Sequence, residues 1–170
     1  MTTQNDVTAN PRSAVFEVLG GVRAGMLGLT GGGDGFQPMT HFPDAEAGTI
    51  WFISSTDTAL VQSLGLGEDA SYVVISQDHD RHVSLRGKLY HLHNDLKLDE
   101  LWNPVIGAWF EGGRQDPHVA LLRFDPEVAE IWASSISTLK FGFEILRANL
   151  DPTHQPDMGV KATVQFPTAA

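Results

Sequence analysis

The sequence predicts a mainly β protein, an antiparallel barrel of six or seven strands with peripheral helices. Three observations carry that expectation. Short runs rich in β-branched and aromatic residues recur along the chain, as in Thr49 to Ser55 and Ser71 to Ser76. Val83, Leu85, Gly87 and Leu89 alternate with Ser84, Arg86, Lys88 and Tyr90, which is the two-residue period of a half-buried strand. Helical patterns intervene too seldom to give the strand–helix rhythm of a parallel sheet.

Taken in order, Asn10 and Pro11 suit the N-cap and N1 positions of a first helix, on which Val15, Phe16 and Leu19 share a face before Gly20-Gly21 end it. Met26 to Thr30 reads as a strand, and the glycine-rich Gly31 to Gly35 must turn. Phe36 to His41 returns as a second strand, with Pro38 marking an edge or a bulge. Thr49 to Ser55 is a third strand. Asp57 then caps a short helix with Leu60, Val61 and Leu64 facing inward and Gly65 at the C′ position. Strands follow at Ser71 to Ser76 and Val83 to Tyr90. Asn94 caps a helix carrying Leu98, Leu101 and Trp102 on one face, which Pro104 interrupts. Val119 to Phe124 and Val128 to Trp132 read as two strands around a turn at Asp125-Pro126. Leu139, Phe143, Leu146 and Leu150 mark a C-terminal helix, and the alternation of Val160, Ala162, Val164 and Phe166 allows a final strand. No repeat or linker divides the 170 residues, so they are read as one domain, with a core at about 11–150 and a C-terminal extension over 151–170.

Composition narrows the function. A chain of this length buries roughly 70% of its extended surface, enough for a core without covalent staples. There are no cysteines, which removes disulfides, thiolate nucleophiles and Cys-ligated metals and fits a cytoplasmic protein. The formal net charge of −10 opposes nucleic-acid binding, since no Lys/Arg cluster offsets it locally. Met1 to Asn10 has no apolar signal-peptide core, and no apolar run is long enough for a membrane span. His91 and His93, with Asp78-His79-Asp80 and His82 upstream, are too loose a set to predict a metal site, and the acidic stretch reads as a solvated turn. Gly31 to Gly35 lacks the Lys-Ser/Thr that a phosphate loop needs. No Ser/His/Asp order or paired carboxylates point to hydrolysis.

Four stretches carry a resemblance. They are Gln37-Pro38-Met39-Thr40, Ile50-Trp51-Phe52-Ile53-Ser54-Ser55, Val83-Ser84-Leu85-Arg86-Gly87, and the run from Trp102-Asn103-Pro104 through Trp109-Phe110-Glu111-Gly112-Gly113 to Asp116-Pro117. Their order and spacing resemble the general-stress-protein branch of the pyridoxamine 5′-phosphate oxidase-like superfamily, from about Pro11 to about Trp132. The last run is the most specific, because it combines rare residue types at fixed spacing. The resemblance implies an FMN-binding split β-barrel that forms a homodimer, with two flavins at the subunit interface. It implies either a flavin-dependent oxidoreductase or a stress-related flavin-binding protein. The alternative is a non-enzymatic dimeric stress protein that has lost tight FMN binding. Because a flavin carries redox chemistry itself, no catalytic acid or base is named.

Members of that branch usually carry Arg-Pro-Met in the second strand and a Ser-Ala-Lys-like turn after the third, and this Arg and Lys hold the FMN phosphate. Carried over residue by residue, Pro38 and Met39 match. Ile53, Ser54, Ser55 and Thr58 offer backbone and hydroxyls for the phosphoribityl chain, and Trp109 matches the aromatic that covers the ring from the other subunit. Gln37 stands where the branch has Arg, and Leu60 where it has Lys. A hydrogen bond to a charged group contributes about 1.5–3 kcal/mol. Two absences therefore remove roughly 3–6 kcal/mol, or two to four decades of affinity. The expected site is thus Gln37, Pro38, Met39, Ile53, Ser54, Ser55, Thr58 and Trp109, with a weakened phosphate end for which Arg12, Arg23 or Arg86 are the candidate replacements.

Overall fold

A computed structural model describes residues 4–32, 35–134, 146–147 and 159–167. In chain order these form α1 (Gln4–Ala9), α2 (Pro11–Gly21), β1 (Ala24–Leu29), β2 (Gln37–Asp44), β3 (Thr49–Ser55) and α3 (Ala59–Gln62). There follow β4 (Glu68–Ile75), β5 (Arg81–Leu92), α4 (Asp95–Leu101), α5 (Pro104–Gly107), a 3₁₀ turn (Gly113–Gln115), β6 (Val119–Ala133) and β7 (Val160–Gln165). The predicted C-terminal helix lies outside the described residues except at Leu146 and Arg147, which are helical, and Gly33 and Asp34 of the predicted turn lie outside them too.

The seven strands form one antiparallel sheet in the order β3-β2-β1-β4-β5-β6-β7, and pairing of β3 with β6 closes the first six into a barrel. The expected mainly β barrel is therefore what the chain builds. Its interior holds Phe52, Tyr72, Phe124, Leu27, Leu85, Leu89, Leu122 and Ile131, all fully buried. The Phe52 and Tyr72 rings meet edge to face at 5.1 Å. Each such side chain contributes about 1.5–3 kcal/mol by leaving water. Helix α2 adds Val15, Phe16, Val18 and Leu19 to this core, and starts where expected, with the Asn10 side chain accepting from the Ser13 amide and Pro11 opening the first turn. A second apolar cluster of Trp51, Leu98 and Leu121 brings α4 against the outer face of the barrel.

Three details depart from expectation. Polar residues at the N-terminus form α1, which buries Val7 completely against the core. The cap of α3 is Thr58, whose hydroxyl accepts from the Val61 amide, rather than Asp57. Residues 119–133 form one strand, not two around a turn. Its first half pairs with β3 as far as Phe124, and its second half pairs with β7 from Val128. Asp125-Pro126 falls at this hand-over, where neither strand needs the amide that proline lacks. The pairing of β6 with β5 shifts between Arg86 and Gly87, and Gly87 accommodates the shift, since a Cβ there would lie 2.7 Å from Pro126 Cα and collide with the Asp125 carbonyl. Val164 of β7 and Phe166 just beyond it also join the core, the latter edge to face with Phe16 at 6.3 Å.

Candidate functional site

All eight residues expected at the site line one open cleft of about 1740 Å³. The cleft exists because β2 and β3 diverge. Their ladder runs from Asp44 and Thr49 only as far as His41 and Phe52. Beyond that point Gln37 to Thr40 pair on one side only, with β1, and Ile53 to Ser55 only with β6. Two strand edges without ladder partners therefore flank the opening, and apart from the Ser55 carbonyl, which Thr58 takes, their outward amides and carbonyls need partners from solvent or ligand. Pro38 fits there, because an edge strand tolerates its missing amide.

At one end of the cleft the chain turns from β3 into α3, and hydroxyls build the turn. Thr58 Oγ1 donates to the Ser55 carbonyl at 2.8 Å and accepts from the Val61 amide at 3.3 Å. Ser55 Oγ accepts from the Asp57 amide at 3.2 Å, and Ser54 Oγ lies 3.5 Å from Thr58 Oγ1. These groups are cap and turn residues first: Ser54 donates weakly to Thr58, and the Ser55 hydroxyl keeps its hydrogen to donate. Gln37 is half-buried, and among the described residues its side chain makes one weak hydrogen bond, Nε2 to Met39 Sδ at 3.8 Å. Met39 is itself buried.

Leu60 stands apart from this wall. It is buried in the barrel core and lines not the cleft but a small pocket of about 40 Å³ beside Gln37, Ala59 and Ser63. A basic side chain at this position would start from apolar surroundings.

The opposite wall comes from the Trp-Asn-Pro to Asp-Pro run, and the structure gives each rare residue a local task. Asn103 Oδ1 accepts from the Val105 and Ile106 amides, capping α5, which Pro104 opens. Gly113 takes a positive φ of 63°. Asp116 accepts from the amides of Gly112 and His118, each at 2.9 Å, and these bonds hold its carboxyl below the ordinary range. Arg114 ties the loop to α4 through Asp99. The product is a braced loop that displays Trp109, 82% exposed, above the cleft.

Below the cleft lies a contact that the sequence reading missed. His41 Nε2 donates to the Leu19 carbonyl at 2.8 Å, which fixes the tautomer, so Nδ1 accepts from the Tyr72 hydroxyl at 2.5 Å. Burial pushes the His41 pKa down and the Tyr72 pKa well up, keeping both neutral. The signal was available: His41 follows Met39 by two, so both side chains face the same side of β2. Other lining residues outside the expected set include Arg23, Gln77, Asn103, Phe110 and His118. His118 sits among carboxylates, with Nδ1 3.0 Å from Asp116 and Nε2 3.9 Å from Asp57. Among the described residues no group of three or more His, Cys, Asp or Glu is placed to hold a metal ion.

Residues 10–157 match the family model described as pyridoxamine 5′-phosphate oxidase like, a span that holds every cleft residue. The chain belongs to this family. Among solved structures of family proteins, a crystal structure assigned as a general stress protein 26 from Jannaschia sp. CCS1 is 36% identical, with a TM-score of 0.75 over 93% of this chain and 99% of that one. The general stress FMN/FAD binding protein from Xanthomonas citri is 39% identical, with a TM-score of 0.68 over 74% of this chain and 90% of that one. A general stress family protein from Xanthomonas campestris pv. campestris is 37% identical, with a TM-score of 0.65 over 81% and 93%. No curated protein matches the chain. Among the described residues no helix is long and apolar enough to cross a membrane.

Proposed function

We propose that this family member binds FMN in the cleft, with a weakened phosphate end, and does so as a homodimer. The observation that carries the reading is the pair of unpartnered strand edges, Gln37 to Thr40 and Ile53 to Ser55, facing a cleft with a hydroxyl cluster at one end. Such edges suit a ligand with a polyol chain, because they offer backbone donors and acceptors along its length. Ser54, Ser55, Thr58 and the edge of β3 would hold the ribityl and phosphate groups, with Gln37 giving one neutral hydrogen bond. Pro38, Met39, Ile53 and Trp109 would pack on the ring. When bound, the flavin supplies the redox chemistry, and the protein binds it, orients it and limits water.

The dimer completes this reading. Trp109 and Val105 are 82% and 73% exposed on the same loop and helix. Large apolar side chains so placed call for a cover, and a second copy closing over the cleft provides one. An oxidoreductase role follows if the bound flavin turns over with a small donor. The non-enzymatic alternative is favoured by one specific observation: at the hydroxyl end Asp57 and Asp116 line the cleft, and among the described residues no Lys or Arg does.

Quenching of flavin fluorescence, with FMN and riboflavin titrated in parallel, tests the reading, and sedimentation gives the mass. We expect both flavins to bind and the protein to sediment as a dimer. Absence of binding by either near ~0.1 mM, taken as a weak-binding limit, ends the flavin reading. A colourless dimer would then favour the non-enzymatic protein.

A further inference from the structure

The far end of the cleft carries charge of the opposite sign. Arg23 is the sole Lys or Arg among the described residues that line it. Its guanidinium has no hydrogen bond or ion pair among the described residues, unlike Arg12 on the Ala45 carbonyl, Arg81 with Glu17, Arg114 with Asp99 and Arg123 with Asp125. The strand register places it. Gln37 pairs with Leu27, whereas the Arg23 carbonyl takes the His41 amide. Four residues of β1 separate the two ends, which is roughly 13 Å at 3.3 Å per residue. Asp57 and Asp116 belong to the other end, since both meet His118, whose carbonyl takes the Thr56 amide. Gln77, two residues past the end of β4, also lines the cleft.

The backbone that carries Arg23 is held in place. His41 grips the segment twice, through Nε2 to the Leu19 carbonyl and through its amide to the Arg23 carbonyl, and the Val22 amide closes on Leu19. A cation on a fixed base pays less ordering entropy when it binds an anion. We propose that Arg23, in a cleft that Gln77 also lines, is the anion-recognition subsite, taking the carboxylate or phosphate of the small molecule that exchanges electrons with the flavin. The subsite stands on this geometry; its part in electron exchange rests on the flavin reading above.

Benzoate and benzamide, a planar anion and its neutral counterpart, are the probes. Each is titrated into the flavin-free full chain while the Arg23 Nε–Hε resonance is followed, and then into flavin-loaded protein while flavin absorbance is followed. A charge-assisted bond predicts that benzoate shifts the Arg23 signal and binds at least about tenfold more tightly than benzamide. Arg23→Gln should bring the two within about twofold, Arg23→Lys should keep most of the preference, and neither should move the affinity for riboflavin. Benzoate that leaves the Arg23 resonance unmoved, or a preference that survives Arg23→Gln, overturns the subsite while leaving the flavin reading intact. If the subsite behaves as expected but neither FMN nor riboflavin binds, the electron-exchange role falls and the subsite stands. If Arg23→Gln weakens FMN and spares riboflavin, Arg23 serves the cofactor's own phosphate, and its assignment to a second molecule is wrong.

Discussion

Placing a cation at the hydroxyl end of the cleft should separate Gln37 from Leu60, the two positions that the resemblance marks for basic residues. Gln37 is half-buried, lines the cleft and gives up only a weak contact to Met39 sulfur, so Gln37→Arg removes little and adds a guanidinium fork. A charge-assisted bond to phosphate contributes about 1.5–3 kcal/mol, which is roughly 10- to 150-fold in affinity. Asp57 opposes it, but the Asp57 side chain is 73% exposed, so its field is largely screened. We therefore expect FMN to bind about tenfold more tightly, with riboflavin unchanged. Leu60→Lys should behave differently. Leu60 is 7% exposed and part of the core, so the change forfeits about 1.5–3 kcal/mol of burial before any ammonium desolvation. At about 2–4 °C per kcal/mol for a chain of this size, melting should fall by roughly 3–12 °C, with no gain for FMN. Fluorescence titration with both flavins and thermal unfolding of each variant give the answer. Equal gains for FMN and riboflavin in Gln37→Arg, or an FMN-selective gain in Leu60→Lys at unchanged stability, would refute this placement of the phosphate end.

Trp109→Ala should leave the melting temperature almost unchanged, as expected for an exposed side chain, while weakening FMN and riboflavin alike by about tenfold or more; equal affinities would remove Trp109 from the site. Gly87→Ala should destabilise the barrel by about 1–3 kcal/mol, because its Cβ meets the β6 backbone rather than a movable side chain; chemical denaturation measures it. His41 makes stability depend on pH. Burial holds its folded pKa below the ordinary 6.5, so the unfolded chain takes up the proton first as pH falls. Stability should be full above 6.5 and decline as pH drops from there toward the folded value, and His41→Leu should flatten this decline in denaturation midpoints across pH 7 to 5. Part of the slope should survive, since desolvation and then His93 lower the His91 pKa in the same direction.

The barrel was legible because its signals are local. Alternation gave β5, β-branched density gave β3, and Asn10 and Asn94 announced their helices. The join inside β6 was not, because Asp125-Pro126 has turn chemistry and only the hand-over from β3 to β7 explains a strand there. Helix α1 was missed because one buried valine among polar residues leaves no periodic trace. The eight cleft residues were found through the resemblance, not through composition. Without it, Ser54, Ser55 and Thr58 read as a strand end and a cap, and the structure shows them in that role. Leu60 reads from its spacing as facing inward in a short helix, and it is buried in the core. Gln77 carries no sequence signal, and Arg23 is one of three arginines that the sequence alone could not place at the opening.

The C-terminal strand has a protective duty. Without β7, residues 128–133 of β6 would offer a bare row of amides and carbonyls flanked by Ile131 and Trp132, a ready template for another chain. The protecting segment follows the other described strands in the chain, so a chain leaving the ribosome carries an exposed β6 edge until residues 160–165 are made. Self-association during synthesis, or after trimming of the C-terminus, is therefore the hazard built into this topology, and the Phe16–Phe166 contact is the latch that ends it.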